Sequence, residues 1–203
     1  MVERFVEGGA FMYPILFCLV IGLAISIERF ISLSRASVNT KRFLSDVISA
    51  MDQGGTEKAV DVCQETKGPV AAIFHAGLTR AERGLEAVEK AITNAGTIEM
   101  AFLERGMIWL STFITVAPML GFTGTVAGMV TAFDDIAKAN EISPSVVAGG
   151  IKIALLTTLF GLIVAIILQI CHNYFISKID ALVIDMEETS AELVDHLVAQ
   201  EKG

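Results

Sequence analysis

The chain has 203 residues, of which 53% are hydrophobic and 19% charged, and its formal net charge is −8. The apolar share exceeds the roughly 45–50% of an ordinary soluble domain, and the acidic balance argues against nucleic-acid binding, which needs a basic patch. We expect neither a metal site nor a cofactor, because the sequence shows no CxxC pair and no closely spaced histidines.

Three runs of eighteen or more residues contain no Asp, Glu, Lys or Arg, and the third ends near His172. A hydrocarbon core of ~30 Å needs ~20 helical residues. The runs therefore predict transmembrane helices at 10–31, 107–133 and 151–174. The alternative is three buried helices of a soluble protein, but the rest of the chain is too short to enclose them. We expect an all-α integral membrane protein whose long helices extend into a helical cytoplasmic domain.

The polar region at 32–106 is predicted to be this helical domain. Helical spacing of apolar residues begins in the stretch "TKRFLSDVISAMDQ". Breaks are expected at Gly54–Gly55 and at Gly68–Pro69, followed by a helix at about 70–84. Since no proline occurs between Leu85 and Pro118, we expect a long helix to pass into the membrane without a break.

Basic residues indicate the orientation of the spans, because they collect on the cytoplasmic side. Four lie just after the first charge-free run, which ends at Ile27: Arg29, Arg35, Lys41 and Arg42. We therefore predict a periplasmic stub at 1–9, a short periplasmic loop at 134–150 and a cytoplasmic tail at 175–203 that continues the third span. The protein would be a multi-pass membrane protein with its N-terminus in the periplasm and its C-terminus in the cytoplasm.

Small residues and hydroxyls recur along the second and third spans at steps of three and four, which places each set on one helix face. In the second span the set is Pro118, Gly121, Thr125, Gly128 and Ala132, with Gly124 beside it; in the third it is Gly150, Ala154, Thr158, Gly161 and Ala165, with Thr157 beside it. Such stripes let membrane helices approach closely. They serve either packing alone, or a narrow polar pore or socket for another helix.

Thr125 and Thr158 lie at similar predicted depth, so an antiparallel hairpin would bring their hydroxyls together. Neither span contains Asp or Glu, although a proton path usually uses an ionisable group inside the bilayer. A partner helix would then have to supply the carboxylate. Lys152, Asp134 and Asp135 are candidate pore-mouth charges; alternatively the lysine snorkels and the aspartates are plain loop charges.

The segments "APMLGFTGTVAGMVTAFDDIA" and "GGIKIALLTTLFGLIVAIILQICHNY" resemble the two signature membrane segments of the ExbB/TolQ/MotA proton-channel family. The motifs run from Pro118 to Met129 and from Ala154 to Leu162. The exit from the first span, "IER", and the stretch "AVDVCQETKGPVAAIF" also resemble the ExbB/TolQ branch. The resemblance covers most of the chain.

The resemblance implies a non-enzymatic stator subunit in the bacterial inner membrane, five copies of which surround a dimer of a single-span ExbD/TolR-like protein with a membrane aspartate. Proton flow would energise a TonB-like transducer for outer-membrane uptake. The alternatives are a TolQ-like role in the Tol–Pal envelope system, a non-conducting scaffold and a membrane-anchored signalling module. Thr125, Thr158 and Thr157 would line the ion path, and the packing or partner-facing positions would be Pro118, Gly121, Gly124, Gly128, Ala154, Gly161 and Ala165. Related proteins often carry Glu where this chain has Ile153, which leaves H⁺ and Na⁺ open as coupling ions.

Overall fold

A computed structural model describes residues 8–36, 39–139 and 144–201. All regular structure in these ranges is helical, which confirms the predicted fold class. The helices are α1 (Met12–Ala36), α2 (Thr40–Glu65), α3 (Pro69–Leu78), α4 (Leu85–Leu103), α5 (Met107–Ala139) and α6 (Pro144–Glu201), with a 3₁₀ turn at Ala81–Arg83.

Three of the helices, α1, α5 and α6, contain stretches long and apolar enough to cross a membrane. Many of their large apolar side chains are exposed, which is unfavourable in water: Ile108, Phe122 and Ile170 are 74%, 67% and 67% exposed. Exposed apolar surface on this scale marks contact with lipid or with other protein chains. The chain is therefore a membrane protein, as its composition predicts.

The chain divides into two compact units. The apolar unit comprises Met1–Glu28 and Gly106–Tyr174, and the polar unit comprises Arg29–Arg105 and Phe175–Gly203. In the apolar unit, α1 packs against α6 where Gly22 leaves space for the side chain of Leu168. Leu110, Ala117 and Leu168 are fully buried in this unit.

The polar unit has its own hydrophobic core, built from α2, α3, α4 and the end of α6. Phe74 is fully buried, and its ring stacks on Phe43 with 5.6 Å between centroids. Val47, Val88 and Leu193 are at most 2% exposed. This core explains the helical spacing of apolar residues in the polar stretches of the sequence.

The predicted break at Gly54–Gly55 is confirmed, since both residues leave helical geometry and Gly55 has a φ of +75°. The predicted boundary at Gly68–Pro69 is also confirmed, because Pro69 starts α3. The following helix is shorter than expected. It ends at Leu78, where the hydroxyl of Thr79 donates to the carbonyl of His75 at 2.6 Å and helps to close the last turn.

The expectation of an unbroken helix from Leu85 into the membrane is wrong, because α4 ends at Leu103 and α5 begins at Met107. Gly106 has a φ of +84°, which side-chain-bearing residues rarely adopt. Arg29, only 5% exposed, donates from Nη1 to the carbonyls of Phe102 and Leu103 at 3.2 and 3.4 Å. The guanidinium thus donates to carbonyls at the helix end that would otherwise accept from the amide N–H groups of a further helical turn.

The tail continues the third span as predicted, because α6 is one helix of 58 residues that reaches Glu201; its cytoplasmic location stays a prediction. At the other end of the second span, α5 continues beyond residue 133 to Ala139. Asp134 and Asp135 are therefore helical residues and not loop residues, and residues 140–143 of the expected loop lie outside the described part of the chain.

Candidate functional site

The contact between α5 and α6, here called the hairpin seam, brings the two backbones together at glycines. A Cβ atom placed on Gly121 would lie 2.8 Å from the carbonyl oxygen of Thr157. One placed on Gly161 would lie 2.6 Å from the carbonyl oxygen of Ala117. Ordinary contact begins near 3.4 Å, so only glycine fits at either position. The small residues of the sequence therefore serve close helix packing.

The seam continues toward the end of α5 and the start of α6. A Cβ atom placed on Gly128 would lie 3.3 Å from the Cβ atom of Ala154. Ala132 faces Gly150 and is 5% exposed. Ala154 is 1% exposed. The two stripes predicted from spacing are thus two sides of one interface.

Thr157 lies inside this seam. Its side chain is fully buried, contacts Gly124 and donates to the carbonyl of Ala154 at 2.8 Å. Its expected place in the ion path stays a prediction. Pro118 and Ala165, predicted to be packing or partner-facing, are half-buried.

The structure brings Thr125 and Thr158 together, as the depth argument predicts. Their hydroxyls, here called the hydroxyl pair, hydrogen-bond to each other across the seam. The Thr125 hydroxyl also lies 2.9 Å from the carbonyl oxygen of Ala154, and the Thr158 hydroxyl lies 3.2 Å from that of Gly121. Both side chains are half-buried, so the pair lies at the margin of the seam and not inside it.

The hydroxyl pair has more acceptors than protons, because each hydroxyl donates once and can accept twice. In one arrangement Thr158 donates to Thr125, which donates to the carbonyl of Ala154. In the other, Thr125 donates to Thr158, which donates to the carbonyl of Gly121. The same heavy atoms support both directions of donation. A reversible hydrogen-bond direction is what a neutral proton relay requires.

Other hydroxyls on α5 behave differently. Thr112, Thr115, Thr123 and Thr131 are exposed, and each donates to the carbonyl four residues earlier at 2.8–3.1 Å. Such bonds are the usual way for a threonine to satisfy itself in a membrane helix. Thr125 also lies within 3.3 Å of the carbonyl oxygen of Gly121, four residues earlier. The hydroxyl pair is distinguished from the other threonines by its additional bonds between helices.

The candidate pore-mouth residues lie at the end of the apolar unit where α5 ends and α6 begins. A cavity of about 490 Å³ there is lined mainly by small residues of α5, α6 and the turn before α1, and both Asp135 and Ile153 border it. Asp134 and Lys152 are exposed and are not part of this lining. The structure thus places Asp135 on the same cavity as Ile153.

The sequence analysis missed two polar features. Gln169 donates from Nε2 to Oδ1 of Asn173 at 2.8 Å in the last turns of the apolar part of α6, a pair that its spacing of four residues in an apolar run could have revealed. The buried Arg29 was counted only as an orienting charge. Among the described residues, no group of three or more His, Cys, Asp or Glu side chains could hold a metal ion.

Comparison with known proteins identifies the family of this chain. Residues 65–188 match the model of the MotA/TolQ/ExbB proton channel family. A protein of Methanothermobacter thermautotrophicus named as a homolog of the biopolymer transport protein ExbB is 35% identical over 88% of this chain and 63% of its own length. A Synechocystis protein named ExbB-like 3 is 29% identical over 83% of this chain and 81% of its own. ExbB of Xanthomonas campestris is 38% identical over 52% of this chain and 42% of its own.

This chain thus spans less than two thirds of the Methanothermobacter relative and less than half of the Xanthomonas one. The family match nevertheless extends over more than half of the chain, from the end of α2 through the hairpin seam to the polar part of α6. The chain belongs to the MotA/TolQ/ExbB proton channel family.

Proposed function

We propose that this chain is an ExbB-like stator subunit that conducts protons and energises biopolymer transport. The observation that carries the proposal is the hydroxyl pair, which is held at the margin of a tightly packed seam with a reversible hydrogen-bond direction. The family match and the names of the relatives support the same reading.

In this mechanism the hydroxyl pair passes a proton to or from a carboxyl group of a partner helix. The second and third spans contain no Asp or Glu between 107 and 133 or between 151 and 174, so the acid has to come from another chain. We infer an ExbD/TolR-like single-span protein that supplies a membrane aspartate. The glycine-rich seam keeps the two spans rigid while this helix changes position beside them.

We infer that Asp135 takes the role of the missing outer glutamate. Its carboxylate and Ile153 border one cavity at the outer end of the apolar unit. A carboxylate there attracts protons or other cations to the mouth of the path. Thr157, fully buried, would support the hydroxyl pair by holding the seam rather than by contacting the ion.

The assembly we propose is a pentamer around a partner dimer, in the bacterial inner membrane, with the N-terminus in the periplasm and a TonB-like transducer as the protein it energises. A TolQ-like role in the Tol–Pal system uses the same chemistry. Growth on a TonB-dependent nutrient, compared with detergent sensitivity of the envelope, distinguishes the two after deletion of the gene.

The test replaces each hydroxyl of the pair by a methyl group. Proteoliposomes containing the chain and its single-span partner are given an imposed pH gradient, and an internal dye reports proton entry. Thr125→Val and Thr158→Val should each lower the rate at least about a hundredfold, the lower range for loss of a proton-transfer group. Thr123→Val is the matched control, because Thr123 is exposed and bonds only to its own helix.

Wild-type rates in both pair variants would refute the relay. A wild-type complex that assembles but is indifferent to the gradient would favour the scaffold. Replacing the proton gradient by a sodium gradient identifies the coupling ion, since hydroxyl oxygens can also coordinate Na⁺; entry of sodium without proton movement would refute proton coupling.

A further inference from the structure

The last turns of the apolar run in α6 carry three polar side chains: Gln169, His172 and Asn173. Residues spaced by three and four share a helix face. Between 107 and 133 and between 151 and 174, the side chains otherwise offer one lysine at the outer edge, Lys152, and no acid. His172 is thus the side chain within these spans that offers an imidazole ring, the group most often used to exchange protons in proteins.

The Nδ1 atom of His172 is buried and has no hydrogen-bond partner in the described part of the chain. A buried polar atom left unsatisfied costs about 1–3 kcal/mol. Such an atom in a folded protein calls for an explanation by water, an ion or a chemical role.

The amides beside His172 also retain hydrogen-bonding capacity. Gln169 uses one N–H on the Oδ1 atom of Asn173, while its own carbonyl oxygen and the Asn173 amide N–H groups remain for other partners. Gln169 is half-buried and Asn173 is exposed. In a lipid environment these groups need water or a polar partner chain.

The register of α6 connects this cluster with the hydroxyl pair. Thr158, Ala165 and His172 follow one another at steps of seven, which keeps them on one face with a drift of about 20° per step. The fourteen residues from Thr158 to His172 span ~21 Å of helix axis, most of a ~30 Å hydrocarbon core. The hydroxyl pair and His172 are thus near opposite ends of the same face.

We propose that His172 is the inner proton-exchange site of the path, with Gln169 and Asn173 holding the water that serves it. This inference rests on the proposed function. A hydrated proton arriving from the side of Thr158 gives up one O–H bond, and an N–H bond forms on the imidazole to give the imidazolium. Release of a proton to inner-side water restores the neutral ring, so charge and protons balance.

The test compares His172→Gln, which keeps hydrogen-bonding capacity but cannot ionise, with His172→Phe, in the same proteoliposomes. Both variants should slow proton entry at least about tenfold. His75→Gln is the control, since His75 lies on α3 in the polar unit.

A wild-type rate in His172→Gln would overturn the proposal, because packing or hydrogen bonding would then suffice. A second measurement is independent of conduction. The chain has three histidines, so the His75→Gln/His196→Gln variant in nanodiscs leaves His172 as the sole imidazole for NMR. The ring should be observed in both a neutral and a protonated form, and a ring that is never protonated overturns the proposal even if conduction fails.

Discussion

The closeness of the hairpin seam gives a quantitative prediction for single methyl groups. In Gly121→Ala the new Cβ would be about 0.6 Å too close to the carbonyl oxygen of Thr157, and in Gly161→Ala about 0.8 Å too close to that of Ala117. Both obstacles are backbone atoms, which cannot rotate away. The helices would have to separate, and the bond from Thr158 to the Gly121 carbonyl would lengthen with them.

The magnitude follows from two opposing terms. Overpacking of this kind costs about 1–3 kcal/mol, whereas alanine is about 1 kcal/mol better than glycine in a helix interior. Gly149 isolates the second term, because a Cβ there would meet nothing within 4 Å. Gly161→Ala should therefore be less stable than Gly149→Ala by about 1–3 kcal/mol, or roughly 2–12 °C in unfolding temperature for a chain of this size.

The assay is thermal unfolding of the purified chain in detergent, followed by circular dichroism, for wild type and for the alanine variants at 121, 128, 149 and 161. Gly128→Ala should fall between the extremes, since its Cβ would lie 3.3 Å from Ala154. Equal midpoints for Gly161→Ala and Gly149→Ala would refute the claim that the seam is at its steric limit.

Arg29 and Cys63 provide tests in the polar unit. Arg29→Leu removes the donor from the carbonyls of Phe102 and Leu103, so it should lower the free energy of unfolding by about 1–3 kcal/mol and speed amide hydrogen exchange at 104–107. Arg29→Lys should recover part of the loss. Unchanged hydrogen exchange in both variants would contradict the role of the guanidinium. Burial raises the pKa of the Cys63 thiol to about 12, so about one thiol in ten thousand is thiolate at pH 8. In a variant whose other two cysteines are alanine, maleimide should label Cys63 only on unfolding, and rapid labelling of the folded protein would contradict this burial. Because the folded state retains the thiol proton when the unfolded state has lost it, the free energy of unfolding should decline above pH 9.

The geometry of the hydroxyl pair could be predicted because helices have a fixed rise and period. Once two apolar runs are taken as an antiparallel hairpin, the depths of Thr125 and Thr158 follow from counting residues. The same reasoning could not separate Thr157 from Thr158. Adjacent residues differ by about 100° around a helix, and the spacing pattern alone does not show where the rim of an interface falls.

The break before α5 was missed for a different physical reason. The sequence does not show whether a glycine in a helical pattern adopts a negative or a positive φ. Gly106 also lacks the neighbouring proline or second glycine that would mark a break. Two carbonyls at the end of α4 accept hydrogen bonds from Arg29, more than seventy residues earlier. Local sequence does not report such distant partners, whereas Gly54–Gly55 and Gly68–Pro69 carry their own local signals.

The steric limit at the seam constrains what can move when the hydroxyl pair changes direction. Helices whose backbones already touch cannot slide or approach further, yet each hydroxyl turns about its own C–O bond without displacing a heavy atom. Both arrangements are electrically neutral and leave the surrounding lipid undisturbed. The hydrogen bond of this hairpin can thus reverse its direction by rotation of two hydroxyl groups while both helices stay in place.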